Sequence, residues 1–427
     1  MQIPKEWLQY APKPKPLTDN QKWNVFLSYR SVNRAWVLSL YDVLTELGYK
    51  VFLDQYVLKA SDDLVTELQD ALANSQAGVL IWSSAAQDSE WVKHEYSTLV
   101  TMSTNDKGFY FIPVKIDNTK LLAFANNKLF IDFSDYPDGP NGGDLIKLIY
   151  GIDGQPMSAE AVRFANEQDE ISKEITANVN GAIINKKPDM IKKLFEQGGL
   201  PWQTSPALGC RAVDGLIKLK QYNDAITMVE IIADQFKRAL RPKQLKALAL
   251  ARRGGPGDLD LAQQILATLY SKNYLDPETM GIYGRTWMDR YEQSHDPEDL
   301  KQSRYYYAEA FEKAPDDYYT GINAAAKSVF IGTNEDLDKA AEYASRVEKI
   351  TGTTAVPGDY WKTATIGESF LIKKKYKEAA EMYGKAIAMA RHEKGSHEST
   401  LLQAKRLMEV LKPTEDERNT VIKAFDS

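Results

Sequence analysis

Short apolar runs alternate with longer amphipathic stretches over roughly the first 150 residues. Apolar runs bounded by Gly, Pro, Asn or Asp predict buried strands, and apolar positions three or four apart predict helices. Strands that alternate with helices pair in parallel, so this part is predicted to be an α/β domain with a five-stranded parallel sheet. Strands are predicted at residues 24–29, 50–54, 77–82, 109–116 and 129–133, and helices at 35–47, at 64–73 and from Trp91 onward.

The remainder of the chain has only helical periodicity and carries an internal repeat. A small residue recurs at intervals of 37, 41, 37 and 39 residues, and a small or aliphatic residue follows each copy seven positions later. Residues seven apart lie on one helix face, where small side chains let a neighbouring helix approach closely. The pattern therefore predicts an all-α solenoid of stacked, tetratricopeptide-like helix pairs, with the small positions at Ala225, Ala262, Ser303, Ala340 and Ala379.

Pro, Gly and Asp concentrate between residues 136 and 157, where the strand pattern ends. Such residues favour turns and linkers. The sequence accordingly predicts an amino-terminal arm at 1–21, the α/β domain at 22–150, a linker at 151–157 and the helical repeat domain at 158–427.

The composition narrows the class of protein. The 427 residues are 43% hydrophobic and 26% charged, which is typical of a folded globular protein, and the longest apolar run is too short to predict a membrane span. The single cysteine, Cys210, excludes an intramolecular disulfide, and the four histidines have no zinc-ligand spacing. No metal site, secretory signal or membrane contact is predicted, and a cytoplasmic location is expected. The net charge of −6 argues against binding to nucleic acid.

Three motifs in the α/β part carry a resemblance to a known family. NVFLSYR occupies residues 24–30, FLDQYVLKASDD occupies 52–63, and Ser89, Trp91 and Glu95 form the pattern S-x-W-x-x-x-E. With these motifs in order on a β/α pattern, residues 22–150 resemble a TIR (Toll/interleukin-1 receptor) domain. The resemblance implies a flavodoxin-like fold.

The helical part resembles a second family. The segments at residues 279–294, 305–326 and 359–368 are similar to the tetratricopeptide-like, TRAF-binding regulatory module of apoptosis signal-regulating kinases. The Gly-rich loop and the HRD and DFG triplets of a kinase are absent from the sequence. The resemblance therefore implies a scaffold or sensor role, in which the repeats bind a protein or small-molecule trigger.

The TIR resemblance implies cleavage of the nicotinamide–ribose bond of NAD+, which is then a substrate and not a cofactor. Nicotinamide leaves as a neutral molecule, so the reaction needs a carboxylate near the ribosyl cation more than it needs a general acid. Glu95 matches the catalytic glutamate of the family, one helical turn after Trp91. Trp91 is expected to line the nicotinamide pocket, to anchor the helix in the core, or both. Further substrate-binding candidates lie where the first and third strands end, namely Ser28, Tyr29, Arg30, Ser83 and Ser84.

The loop after the second strand is expected to mediate assembly. In the resembled family this BB loop packs on a neighbouring TIR domain and can complete the active site, which implicates Asp54, Tyr56, Leu58 and Lys59 in self-association. The leading hypothesis is an NAD+ nucleosidase that acts in bacterial anti-phage defence and is activated by assembly or by a trigger at the repeats. A non-catalytic TIR adaptor is the alternative, and the sequence leaves open whether the product is ADP-ribose or a cyclic isomer.

Overall fold

The computed structural model of the protein describes residues 3–30, 33–53, 64–87, 90–120, 130–390 and 394–425. By their internal contacts the residues divide into two compact units, Met1–Gly255 and Pro256–Ser427. The first unit contains a sheet and several of the helices that follow it, and the second unit is helical.

The first unit is built on a five-stranded sheet, as the sequence predicts. All four strand pairs within the described residues are parallel, and the strand order is β2-β1-β3-β4-β5. The predicted ends differ from the observed ends by at most two residues. Strand β3 begins two residues earlier than predicted, because the polar residue Ser75 joins the ladder opposite Trp23. The strands are β1 (Trp23–Ser28), β2 (Val51–Phe52), β3 (Ser75–Trp82), β4 (Tyr110–Lys115) and β5 (Ile131–Asp132).

Helices connect β1 to β2, β2 to β3 and β3 to β4, and they pack on the sheet. One buried cluster joins Phe26 and Leu80 of the strands to Leu72 and Leu99 of the helices. Strands buried in this way read as continuous apolar runs, which is why their positions could be predicted. The helices are α1 (Lys5–Leu8), α2 (Arg34–Glu46), α3 (Leu64–Ala73), α4 (Ser84–Gln87), α5 (Glu90–Asn105) and α6 (Gly142–Asp153).

The amino-terminal arm is bound to the sheet and is not a free tail. Side-chain amides near the amino ends of two strands hold its backbone: Asn24 donates to the Lys15 carbonyl at 2.9 Å, and Gln76 donates to the Pro16 carbonyl at 2.9 Å. Trp7 of α1 is 1% exposed. The arm therefore contributes to the stability of the first unit.

The helical part begins after a capped turn. Helix α6 ends at Gly154 in the left-handed conformation, with φ of 57°, and the Ser158 hydroxyl caps the next helix by accepting from the Ala161 amide. In the first unit this part comprises α7 (Ala159–Ile184), α8 (Pro188–Gln197), α9 (Leu200–Thr204), α10 (Ala207–Lys218), α11 (Tyr222–Gln235) and α12 (Arg241–Arg253). The second unit comprises α13 (Asp258–Ser271), α14 (Pro277–Ser294), α15 (Pro297–Lys313), α16 (Tyr318–Ile331), α17 (Asn334–Thr351), α18 (Tyr360–Ile372), α19 (Tyr376–Met389), α20 (Lys394–Leu411) and α21 (Glu415–Lys423).

The predicted stripe of small residues is buried, which confirms its role in helix packing. The five repeat positions are at most 1% exposed, and so close an approach needs small side chains. Closely packed helix pairs account for the helical repeat in both units. The five positions are Ala225, Ala262, Ser303, Ala340 and Ala379.

Helices α6 and α7 are in close backbone contact at Gly143. A Cβ added to Gly143 would overlap the backbone carbonyl of Ala165, so only glycine fits at this contact. The first long helix after the sheet thus packs against the α/β part within one unit. The domain boundaries at 151–157 stay a prediction.

Candidate functional site

The carboxyl edge of the sheet brings several predicted residues together. Ser28 is the last residue of β1, and Ser83 and Ser84 directly follow β3, its parallel neighbour. Neighbouring parallel strands end at the same edge, where open α/β sheets bind ligands. Tyr29 and Arg30 follow Ser28 and are half-buried. Ser28 and Ser83 are almost completely buried, at 2% and 3% exposure.

Ser83 ties two loops of this edge to each other. Its hydroxyl accepts a hydrogen bond from the side-chain amide of Asn33 at 2.7 Å and lies 3.3 Å from the backbone amide of Ala86 in α4. These bonds fix the loop after β1 against the turn after β3. The substrate-binding role of Ser83 stays a prediction. The sequence reasoning missed Asn33, whose position just before α2 is typical of a helix cap and gave no sign of a contact 50 residues away.

Asp117 is a second residue of this edge that sequence reasoning missed. It follows β4, and its carboxylate accepts from the backbone amide of Ser84 at 2.7 Å and from that of Thr119 at 2.9 Å. Partial burial raises the pKa of Asp117, but the hydrogen bonds from Ser84 and Thr119 outweigh burial and hold the pKa below its usual value. Asp117 is therefore a carboxylate at neutral pH, and it orders the backbone of the turn that precedes α5.

Helix α5 carries the predicted catalytic residue. The backbones of Trp91 and Glu95 lie in its first two turns, and their side chains fall outside the described residues. Leu99, one turn after Glu95, is fully buried and packs against Gly78 of β3, where a Cβ would overlap the Leu99 side chain. This contact holds the helix against the strand whose carboxyl end carries Ser83. Glu95 therefore lies on a helix that follows the carboxyl end of β3 and packs against that strand.

The predicted assembly residues Asp54, Tyr56, Leu58 and Lys59 lie outside the described residues. Within the described part of the chain, His, Cys, Asp and Glu side chains form no group of three that could hold a metal ion. A search of the same residues finds no helix long and apolar enough to cross a membrane.

Two family models match the chain, and both agree with these features. The model of the TIR domain matches residues 25–146, and the model named Tetratricopeptide Repeats-Sensor matches residues 221–328. The chain carries a TIR domain in its amino-terminal part and a tetratricopeptide-type repeat region after it. The finer resemblance to the regulatory module of apoptosis signal-regulating kinases stays a prediction.

The similar curated proteins are named for a nucleotide cyclisation. A probable 2′ cyclic ADP-D-ribose synthase, TcpB, of Brucella melitensis is 32% identical over 83 residues, which are 19% of this chain and 33% of that protein. The 2′ cyclic ADP-D-ribose synthase AbTIR of Acinetobacter baumannii is 27% identical over 109 residues, which are 25% of this chain and 40% of that protein. The chain thus spans about a third of the length of the curated relatives it matches.

Solved structures of repeat proteins also match the chain. A thermophilic tetratricopeptide-repeat protein of Thermus thermophilus superposes with a TM-score of 0.37 at 17% identity, covering 49% of this chain and all of that one. The C-terminal part of a tetratricopeptide-repeat-containing protein of Cytophaga hutchinsonii gives a TM-score of 0.30 at 13% identity, over 58% of this chain and 92% of that one.

Proposed function

We propose that the protein is a TIR-domain NAD+ nucleosidase that breaks the nicotinamide–ribose bond. The position of Glu95 carries the proposal, since it lies on helix α5, which follows the carboxyl end of β3 and packs against that strand. A carboxylate there offsets the positive charge that develops on the ribose as neutral nicotinamide leaves. The names of the relatives TcpB and AbTIR favour the same bond cleavage, followed by ring closure to a cyclic ADP-ribose.

The bond changes balance without any added redox agent. The ribosyl C1–nitrogen bond breaks with both electrons going to nicotinamide, and an oxygen nucleophile forms the new bond to C1. Water yields ADP-ribose, and a hydroxyl of the ADP-ribose itself yields a cyclic product. Either nucleophile releases one proton to solvent. Access of water to C1 decides between the two products.

We further propose that assembly switches the enzyme on. The TIR domains would associate through Asp54, Tyr56, Leu58 and Lys59, and a protein or small molecule bound by the repeats would promote that association. Stacked helix pairs present extended surfaces for such binding. The activity would then consume NAD+ in the cytoplasm during bacterial defence against phage.

The test is NAD+ consumption by the full chain over a concentration series, with products separated by chromatography. Glu95→Gln keeps the size of the side chain and removes its charge, so it should lower turnover by about a hundredfold or more. Glu90→Gln, on the same helix but outside the motif, is the matched control and should retain turnover. Turnover that rises faster than linearly with protein concentration would support activation by assembly. Equal, measurable rates for Glu95→Gln and the unaltered protein would reject Glu95 as the catalytic residue, and absence of turnover at every concentration would favour the non-catalytic adaptor.

A further inference from the structure

The second unit contains a cavity of about 450 Å³ lined by residues of α14, α16 and α20 and by His295, which follows α14. Part of its wall is apolar, formed by Met288, Phe330 and Val410. Tyr291 adds a half-buried aromatic ring. Cavities of this volume accommodate small organic ligands, and apolar walls with a few polar groups are typical of such sites.

One ion pair joins two walls of the cavity. Arg406 Nη1 of α20 lies 2.7 Å from Glu292 Oε1 of α14, and both residues belong to the lining. The pair connects positions 114 residues apart in the sequence, so it holds α20 against α14. Because the guanidinium and the carboxylate neutralise each other, the pair adds no net charge to the lining.

Glu409 of α20 gives the lining a net negative charge. It is the third charged residue of the lining, and its carboxylate has no hydrogen bond or ion pair with any residue that the structure describes. Glu409 is exposed, so water screens its charge while the cavity contains solvent. A ligand that fills the cavity displaces this water, and the attraction between Glu409 and a positive group becomes stronger.

The nearby cations outside the lining have acidic neighbours of their own. Arg285 Nε donates to Asp289 at 2.7 Å, and Glu368 attracts the buried ammonium of Lys327. That ammonium lies 5.5 Å from the centre of the Phe330 ring, so the Phe330 ring already has a cation beside it. The charge of the lining that lacks a partner is therefore the Glu409 carboxylate.

We propose that the cavity binds a small organic cation, which carries a protonated amine or quaternary ammonium group on an apolar body. The positive group pairs with Glu409 and with the ring face of Tyr291, and the body packs on Met288 and Val410. A metal ion suits the site less well, because the described His, Cys, Asp and Glu side chains form no group of three that could hold one. As the trigger of the enzyme this ligand rests on the proposed function, but binding itself is measured without NAD+.

Isothermal titration calorimetry on the full chain tests the site with four probes. Phenyltrimethylammonium has both the positive charge and the ring, tetramethylammonium has only the charge, benzyl alcohol has only the ring, and phenyl phosphate has the ring with the opposite charge. We expect phenyltrimethylammonium to bind about tenfold or more tightly than each of the others. Absence of phenyltrimethylammonium binding up to about 5 mM, or equal binding of any other probe, would overturn the proposal.

Glu409→Lys reverses the unpaired charge at an exposed position, where the fold tolerates the change. We expect it to weaken phenyltrimethylammonium binding about tenfold or more, because two cations then oppose one carboxylate in the lining. Glu398→Lys is the matched control, since it changes the net charge equally at an exposed position of α20 outside the lining, and it should retain the affinity. A thermal melt verifies that both variants are folded. Unchanged phenyltrimethylammonium affinity in folded Glu409→Lys, or an equal loss in Glu398→Lys, would disprove the site.

The result separates this site from the proposed activity. A protein that binds phenyltrimethylammonium through Glu409 but leaves NAD+ intact, with and without the probe, supports the cation site and contradicts the nucleosidase. A protein that cleaves NAD+ but binds phenyltrimethylammonium equally well with and without the Glu409 carboxylate does the opposite.

Discussion

Asp42 of helix α2 makes the stability of the first unit depend on pH. Its side chain is 6% exposed, and Oδ2 has no hydrogen-bond partner among the described residues. Burial raises the pKa of Asp42 to about 7, although Lys243 and Arg238 pull it in the other direction. The ionised form is therefore disfavoured in the folded protein.

The sign and size of the effect follow from proton linkage. The ordinary pKa of 3.8 applies in the unfolded chain, so between about pH 4 and pH 7 the folded state binds more protons than the unfolded state. Stability contributed by the protonated group is consequently lost as the pH rises through this window. A shift of about three pKa units corresponds to about 4 kcal/mol, which is lost in full only above pH 7.

Asp42→Asn keeps the shape of the side chain and cannot ionise. We expect the variant to be about 4 kcal/mol more stable than the unaltered protein at pH 8, with the difference shrinking towards zero near pH 4. Urea titrations followed by tryptophan fluorescence at several pH values measure the difference. Glu46→Gln, at an exposed position of the same helix, should change stability by less than about 0.5 kcal/mol throughout. A difference for Asp42→Asn that is independent of pH would refute the reasoning.

Further predictions concern two glycines and the cysteine of the first unit. Gly143→Ala should lower the free energy of unfolding by about 3 kcal/mol or more, because the added methyl group meets the rigid carbonyl of Ala165. Gly181→Ala should raise the free energy of unfolding by up to about 1 kcal/mol, because open space surrounds Gly181 in helix α7. Equal urea midpoints for the two variants would contradict this. Burial raises the pKa of the Cys210 thiol far above its usual value, so a disulfide reagent at pH 8 should modify it only after unfolding, and rapid modification of the folded protein would count against its burial.

The sequence by itself determined the strand positions and the helical repeat. Strand β3 is buried along most of its length, and such a strand must be apolar at consecutive positions, so its residues identify it. The repeat was predictable for a similar reason, because close helix contacts exclude large side chains at positions such as Ala225 and Ala340. The motif around Glu95 was also local, since Trp91 and Glu95 lie about one turn apart on helix α5.

Only the tertiary structure decided which distant residues meet. The bond between Asn33 and Ser83 and that between Asp117 and Ser84 join segments from different strand ends, and their residue types are also common in ordinary turns. Lysine is a residue type that is mostly exposed, yet Lys327 is only 5% exposed in the folded protein. The spacing of residues along the chain determines which side chains share one face of a helix or strand. Burial and charge pairing depend on the other elements that pack around that face, and these elements come together only in the folded protein.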